Sequence, residues 1–178
     1  MKRVYLPSQD SMLLLRSAET TPFRFVLEIG TGSGFVLGHL VGGRPGSEGV
    51  GTDIDVESAQ EARDRTDGLR AEVVQCDCAA PFREEAFDLV VVNPPYLEGD
   101  SASDPAVYGG EGGVQIPRRM VEDGIRALKV GGSLFFVTSS HSDYGALVQG
   151  AASHGEVTGV SEERLFFERL MVYRVVKR

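Results

Sequence analysis

Asn93-Pro94-Pro95-Tyr96 directly follows the apolar run Leu89-Val90-Val91-Val92. Each proline lacks an N–H and fixes its φ, so the turn is stiff and its carbonyls are left to accept. The Asn93 side-chain oxygen and the Pro94 carbonyl could take both hydrogens of a planar NH2 group, with Pro95 stiffening the turn and Tyr96 offering a flat face. An amide or aromatic amine is a poor nucleophile because its lone pair is delocalised into the adjoining π system. Two acceptors hold such a nitrogen and aim its lone pair at an electrophilic methyl. Catalysis would then be mostly orientation, with no covalent intermediate and no metal. Asn93, Pro94 and Tyr96 are the candidate catalytic residues, and the whole Asn93-Pro94-Pro95-Tyr96 turn is the candidate acceptor site. The bland alternative is a plain turn, which its position at the carboxyl end of a central strand argues against.

A second chemical feature is Gly30-Thr31-Gly32-Ser33-Gly34, entered from Val26-Leu27-Glu28-Ile29 and leading into a helical pattern. Such glycines let a ligand approach the backbone closely. A dinucleotide loop of spacing G-x-G-x-x-G would place its third glycine at position 35, which is Phe35. The observed spacing suits a nucleoside without a pyrophosphate. Carboxylates recur where such a ligand needs them. Asp53 ends the second strand and could accept both ribose hydroxyls. Asp77 follows the third strand and could accept from an adenine amino group, while Glu28 could face a cationic amino-acid end. A carboxylate at Glu28 would repel a pyrophosphate. Ile54 and Cys78, next to two of these carboxylates, join Thr31 and Asn93 in the candidate cofactor set.

Short apolar runs alternate with helical patterns, the signature of βαβ units around a parallel sheet. Strands are expected at 25–29, 49–53, 72–75, 89–92 and 133–138, and helices near 9–19, 34–40, 56–66, 116–128 and 142–153. Residues 156–161 and 170–176 are β-rich and joined by 162–169, too short for a crossover helix, so they must pair antiparallel. The 178 residues fit one domain, residues 1–178, with 42% apolar residues to fill a core.

The formal charge of −8 is scattered and disfavours unaided binding to a phosphate backbone. Arginine outnumbers lysine 15 to 3, a composition bias. No run is long enough to span a membrane and no signal-peptide core is visible, so a cytoplasmic location is expected. Cys76 and Cys78 read as two reduced, partly buried thiols, and His39, His141 and His154 show no ligand spacing.

The glycine loop together with Asn93-Pro94-Pro95-Tyr96 resembles the HemK-type class I methyltransferases, which modify the glutamine of the Gly-Gly-Gln motif in class 1 release factors. Tyr5-Leu6-Pro7-Ser8-Gln9-Asp10-Ser11-Met12-Leu13-Leu14-Leu15, Gly109-Gly110-Glu111-Gly112-Gly113 and Phe166-Phe167-Glu168-Arg169-Leu170 are similar to the short archaeal and eukaryotic branch. The resemblance implies a Rossmann-like α/β fold with a seven-stranded, mostly parallel sheet ordered 3-2-1-4-5-7-6. It has an antiparallel C-terminal hairpin and helices on both faces. It also implies S-adenosyl-L-methionine bound by Glu28, Gly30, Gly32, Asp53 and Asp77, with Asp10 or Ser11 closing the pocket. Asn93 and Pro94 would hold the target nitrogen. Bacterial members carry a further N-terminal helical domain that this chain is expected to lack, and short-branch members often work with a small zinc-binding activator. Gln9 departs from the acidic residue usual at its position. The third strand would be the exposed sheet edge and a docking edge for such an activator.

Phe166 and Phe167 are expected to pack in the core rather than form a substrate platform, and Arg118-Arg119 to lie on a solvated helix face. The glycine-rich stretch 98–113 is expected to act as a mobile lid over the acceptor site. Other readings are N6-adenine methylation of DNA or RNA, lysine methylation, and a non-catalytic nucleoside-binding module. A dinucleotide oxidoreductase fits least, given Phe35.

Overall fold

A computed structural model describes residues 4–99 and 107–178. Seven strands form one sheet in the order β3-β2-β1-β4-β5-β7-β6, the order the resemblance implied. β1 (Phe25–Ile29), β2 (Glu48–Asp53), β3 (Ala71–Gln75), β4 (Phe87–Val92) and β5 (Leu128–Ser139) run parallel. β6 (Gly155–Arg164) and β7 (Arg169–Lys177) form the antiparallel pair, with β7 inserted beside β5.

Central strands alternate their side chains between two apolar layers. Leu89 and Val91 of β4 pack with α1 (Gln9–Ala18), α2 (Phe35–Gly42) and α3 (Val56–Arg65). Val90 and Val92 pack on the opposite face with α4 (Gln115–Ala127) and α5 (Tyr144–Ala152). α3 starts at Asp55, whose side chain accepts from the Ser58 amide at 2.9 Å, and α5 starts at Asp143 in the same way. Gly34 caps α2 with φ +73°, and a Cβ there would stand 2.9 Å from the Ala62 backbone, so glycine lets α2 and α3 approach. No helix among the described residues is long and apolar enough to cross a membrane.

Three elements differ from expectation. β5 begins at Leu128 rather than 133, because its register with β4 jumps from Phe87↔Leu128 to Leu89↔Ser133 across an irregular stretch. β6 and β7 extend well into the connection expected at 162–169, leaving only four residues at the tip. Of the proposed lid, 100–106 lies outside the described residues. The described part is tied down, since Leu97 bridges Tyr108 and exchanges backbone bonds with Val107 and Gly109 at 3.0 and 2.8 Å.

Candidate active site

The parallel strands end together, and beyond their carboxyl ends opens a cleft of about 600 Å³. Every candidate residue read from the sequence lines it: Asp10, Ser11, Glu28, Gly30, Thr31, Gly32, Asp53, Ile54, Asp77, Cys78, Asn93, Pro94, Pro95 and Tyr96. The parallel order explains the convergence, because strand ends far apart in sequence meet at a switch point between β1 and β4.

One wall is the glycine loop. Glu28 is buried and its Oε2 accepts from Thr31 Oγ1 at 2.6 Å and from the Leu37 amide of α2 at 2.9 Å. Burial pushes the Glu28 carboxyl up to about 8, against those two donors and with a contribution from Asp53. Asp53 Oδ2 accepts from the Gly32 amide and Oδ1 from the Asp55 amide, each at 2.9 Å. Burial still raises its carboxyl above the ordinary value. Phe35 packs on the core and against the His39 ring, tilted at 45° with centroids 4.2 Å apart, so a side chain fills the place where a dinucleotide loop has its third glycine.

Asp77 sits beyond β3, where its Oδ1 pairs with the Arg119 guanidinium of α4 and accepts from the Cys78 thiol at 3.3 Å. Arg119 therefore corrects the sequence expectation: it stands on the cleft wall rather than on an unengaged helix face, while Arg118 is exposed. No sequence pattern links positions 77 and 119. Burial pushes the Cys78 thiol up to about 11, Arg119 opposing it, and both cysteines are free and partly buried.

The facing wall is the Asn93-Pro94-Pro95-Tyr96 turn after β4. Asn93 Nδ2 donates to Ser11 Oγ at 3.4 Å, which turns Oδ1 away from α1. That Oδ1 is buried and has no hydrogen-bond partner among the described residues. A buried acceptor without a donor is uncommon in proteins and points to a missing group. Tyr96 Oη donates to Asp10 Oδ2 at 3.1 Å, and Tyr5 Oη donates to the same oxygen at 2.6 Å. Ser8 Oγ and the Ser11 amide donate to Oδ1 at 2.6 and 2.5 Å. Burial alone would raise the Asp10 carboxyl, but these donors hold it below the ordinary value. Burial, followed by the Asp10 charge, drives the Tyr96 hydroxyl far up, so it remains a phenol that donates. Tyr5 and the Asp10 hub were missed in the sequence, since nothing local connects residue 10 with residue 96.

Phe166 and Phe167 overturn the expectation of core packing. They form the tip between β6 and β7 and are 100% and 90% exposed. Large aromatic side chains are usually core residues, which suggested burial, but a tip has no sheet face to bury against.

A ligand with a ribose, an adenine and a cationic amino-acid end fits this cleft on its donor and acceptor chemistry. Carboxylates ring one wall, and Asn93, whose buried Oδ1 has no donor among the described residues, lines the other.

Comparison with known proteins bears on the same residues. The family model described as methyltransferase small domain matches residues 8–166. A candidate protein N5-glutamine methyltransferase of Methanocaldococcus jannaschii is 30% identical over 77% of this chain and 73% of its own. A release factor glutamine methyltransferase of Bradyrhizobium diazoefficiens is 35% identical over 71% of this chain and 47% of its own. The chain spans about half the length of such bacterial relatives, with 53% for that of Streptococcus pneumoniae. Among solved structures, the E. cuniculi Mtq2–Trm112 complex, responsible for methylation of the eRF1 translation termination factor, superposes with TM-score 0.78. It covers 98% of both chains at 22% identity, a likeness of fold.

Proposed function

The chain belongs to the methyltransferase small domain family, and on that premise we propose that it methylates the side-chain amide of a protein glutamine, that of Gly-Gly-Gln in a class 1 release factor. S-adenosyl-L-methionine supplies an electrophilic methyl on a positively charged sulfur. Glu28, Gly30, Thr31, Gly32, Asp53, Ile54, Asp77 and Cys78 would hold it, with Asp10 and Ser11 flanking. The single observation that carries the acceptor assignment is Asn93 Oδ1, buried in this cleft without a donor. A primary amide brings two N–H groups. One satisfies Asn93 Oδ1 and the other the Pro94 carbonyl, which orients the nitrogen lone pair. Tyr96, pinned through its hydroxyl to Asp10, supplies the face against which the amide plane lies. A lysine ammonium would present three donors in no common plane and gain less from this pair of acceptors.

The relatives named above support a glutamine target, and the net charge of −8 weighs against a nucleic-acid one. The same reading makes residues 1–178 one catalytic domain working in the cytoplasm. A small zinc-binding activator would dock on β3, the sheet edge, beside a groove lined by Phe25, Val50, Leu69 and Phe87.

The test is transfer of labelled methyl to a purified class 1 release factor, beside a duplex DNA control, with tandem mass spectrometry to locate it. One methyl on the Gly-Gly-Gln glutamine, absent with Asn93→Ala, is the expected result. Label on DNA and none on the factor would replace the substrate and keep the acceptor chemistry.

A further inference from the structure

The tip of the β6–β7 hairpin is built to hold two phenyl rings in water. Its backbone is fixed on both sides: the Leu165 amide donates to the Glu168 carbonyl at 2.7 Å, and the His141 ring bonds the Phe167 carbonyl at 2.7 Å. Ser139 Oγ donates to Glu168 Oε1 at 2.6 Å, and Ser140 exchanges two bonds with Arg169. Leu165 turns inward onto the same apolar layer that Tyr96 touches. A segment this well anchored does not expose two rings through slack. Fully exposed aromatic rings forgo the stabilisation that burial gives, and contiguous exposed apolar surface marks an interaction site.

The tip also stands beside the acceptor turn. β5 lies next to β4, and β7 next to β5; Val92 is level with Phe136 and Ser139 with Leu170, so the tip lies beyond the same carboxyl edge, a few residues past the point where Asn93-Pro94-Pro95-Tyr96 leaves β4. The Glu168 charge contributes, after burial, to the raised hydroxyls of both Tyr5 and Tyr96. On the other flank, Arg16 and Ser17 of α1 bond Glu163 and Ser161 of β6, which ties the C-terminal end of α1 to the hairpin below its tip.

We propose that Phe166 and Phe167 form a docking platform for apolar side chains of the polypeptide substrate that flank the methylated residue. This rests on the glutamine reading above. Polypeptide is favoured over nucleic acid because Arg164 and Arg169, the arginines at the hairpin end, both lie within reach of Glu162, at 3.1 and 3.9 Å. A chain carrying −8 offers no compensating cation field there.

The test compares the wild type with the Phe166→Ser/Phe167→Ser variant in two assays: binding of the intact release factor with S-adenosylhomocysteine present, and methyl transfer to it. Because both rings are exposed, the melting temperature and the S-adenosylhomocysteine affinity should not change. The expected result is binding weakened about tenfold or more, as for interface aromatics, with KM raised in step and kcat within about twofold. Equal binding by both proteins overturns the platform and leaves the glutamine reading intact. Binding that depends on the rings without any transfer overturns the glutamine reading and keeps the platform. No binding of the factor by the wild type, or label on DNA that the variant loses, overturns the polypeptide occupant. A wild-type dimer that the variant dissolves assigns the rings to self-association and overturns it as well.

Discussion

The two walls of the cleft each bury one carboxylate, Asp10 at 2% exposure and Glu28 at 3%, and the two are driven in opposite directions. Asp10 receives donors from Ser8, Tyr5, the Ser11 amide and Asn93, which together hold its carboxyl below the ordinary value despite burial, and it also receives the Tyr96 hydroxyl. Glu28 receives two, from Thr31 and the Leu37 amide, and burial lifts it to about 8. Burial raises both carboxylates, more strongly at Glu28, where the Asp53 charge adds to it, and only at Asp10 do the donors outweigh it. Asp10 is completed by the protein and acts as an anchor. Glu28 is left incomplete, and a cationic ligand would finish it.

The largest effect should come from Asn93→Ala, which strips the acceptor wall of its orphaned oxygen. A fall in kcat of about 10²–10³-fold is expected, comparable to loss of one preorganised polar group, with S-adenosylmethionine affinity changed far less. Activity within about threefold of wild type would detach Asn93 from the chemistry.

Next comes the anchor itself. Asp10→Ala leaves the buried Ser11 amide and the hydroxyls of Tyr5, Ser8 and Tyr96, all in partly buried bonds, without their acceptor, at up to about 1–3 kcal/mol for each one stranded. A loss of roughly 3 kcal/mol or more in urea unfolding is expected, together with a fall in kcat as Tyr96 loses its tether. An unchanged unfolding midpoint would show that the hub holds nothing.

The two carboxylates should also impose opposite pH slopes. Glu28 is raised in the fold from 4.5 to about 8, so its stabilisation is complete below pH 4.5 and is lost as pH rises through 8. Asp10 is lowered from 3.8, so its contribution is complete above that value and is lost as pH falls below it. The ligand-free protein should therefore lose stability between about pH 5 and 8, and Glu28→Gln should flatten that slope. Calorimetry in two buffers of different ionisation enthalpy should show proton release when S-adenosylmethionine binds near pH 7, absent in the variant. Proton release that persists in Glu28→Gln would assign it to another group.

The smallest effect is expected at Arg119, whose pairing with Asp77 is largely exposed. Such pairs contribute about 0–1 kcal/mol, so Arg119→Ala should weaken cofactor binding about two- to fivefold. A hundredfold loss would make Arg119 a principal ligand contact.

How much of this was legible in the sequence follows the range of the signal. The strands, the terminal antiparallel pair and the glycine loop rest on short-range patterns, apolar runs and turn residues, and were readable from them, whereas the strand order came from the family resemblance. Glu28, Asp53, Asp77 and Asn93 each stand at or just past the carboxyl end of a strand, so the parallel sheet alone gathered them at one edge. The Asp10–Tyr96 and Asp77–Arg119 contacts join segments 86 and 42 residues apart, with no periodicity to announce them. Phe166 and Phe167 were misread because aromatic residues in a β-rich segment signal burial. Only the exact position of the hairpin turn decides which of them leave the sheet.

The late place of β7 in the chain has a consequence for how the molecule is made. β7 lies between β5 and β6, and among the described residues β6 pairs with no strand but β7. Until residues 169–177 have left the ribosome, β5 presents an open edge and β6 has nothing to pair with. The glycine loop and the acceptor turn can assemble on the first strands during synthesis, but the hairpin that shoulders them emerges only after all of those strands. Truncation or stalling within β7 would thus yield a chain with its chemistry in place and a sticky flank, a form for quality control to remove before it meets a substrate.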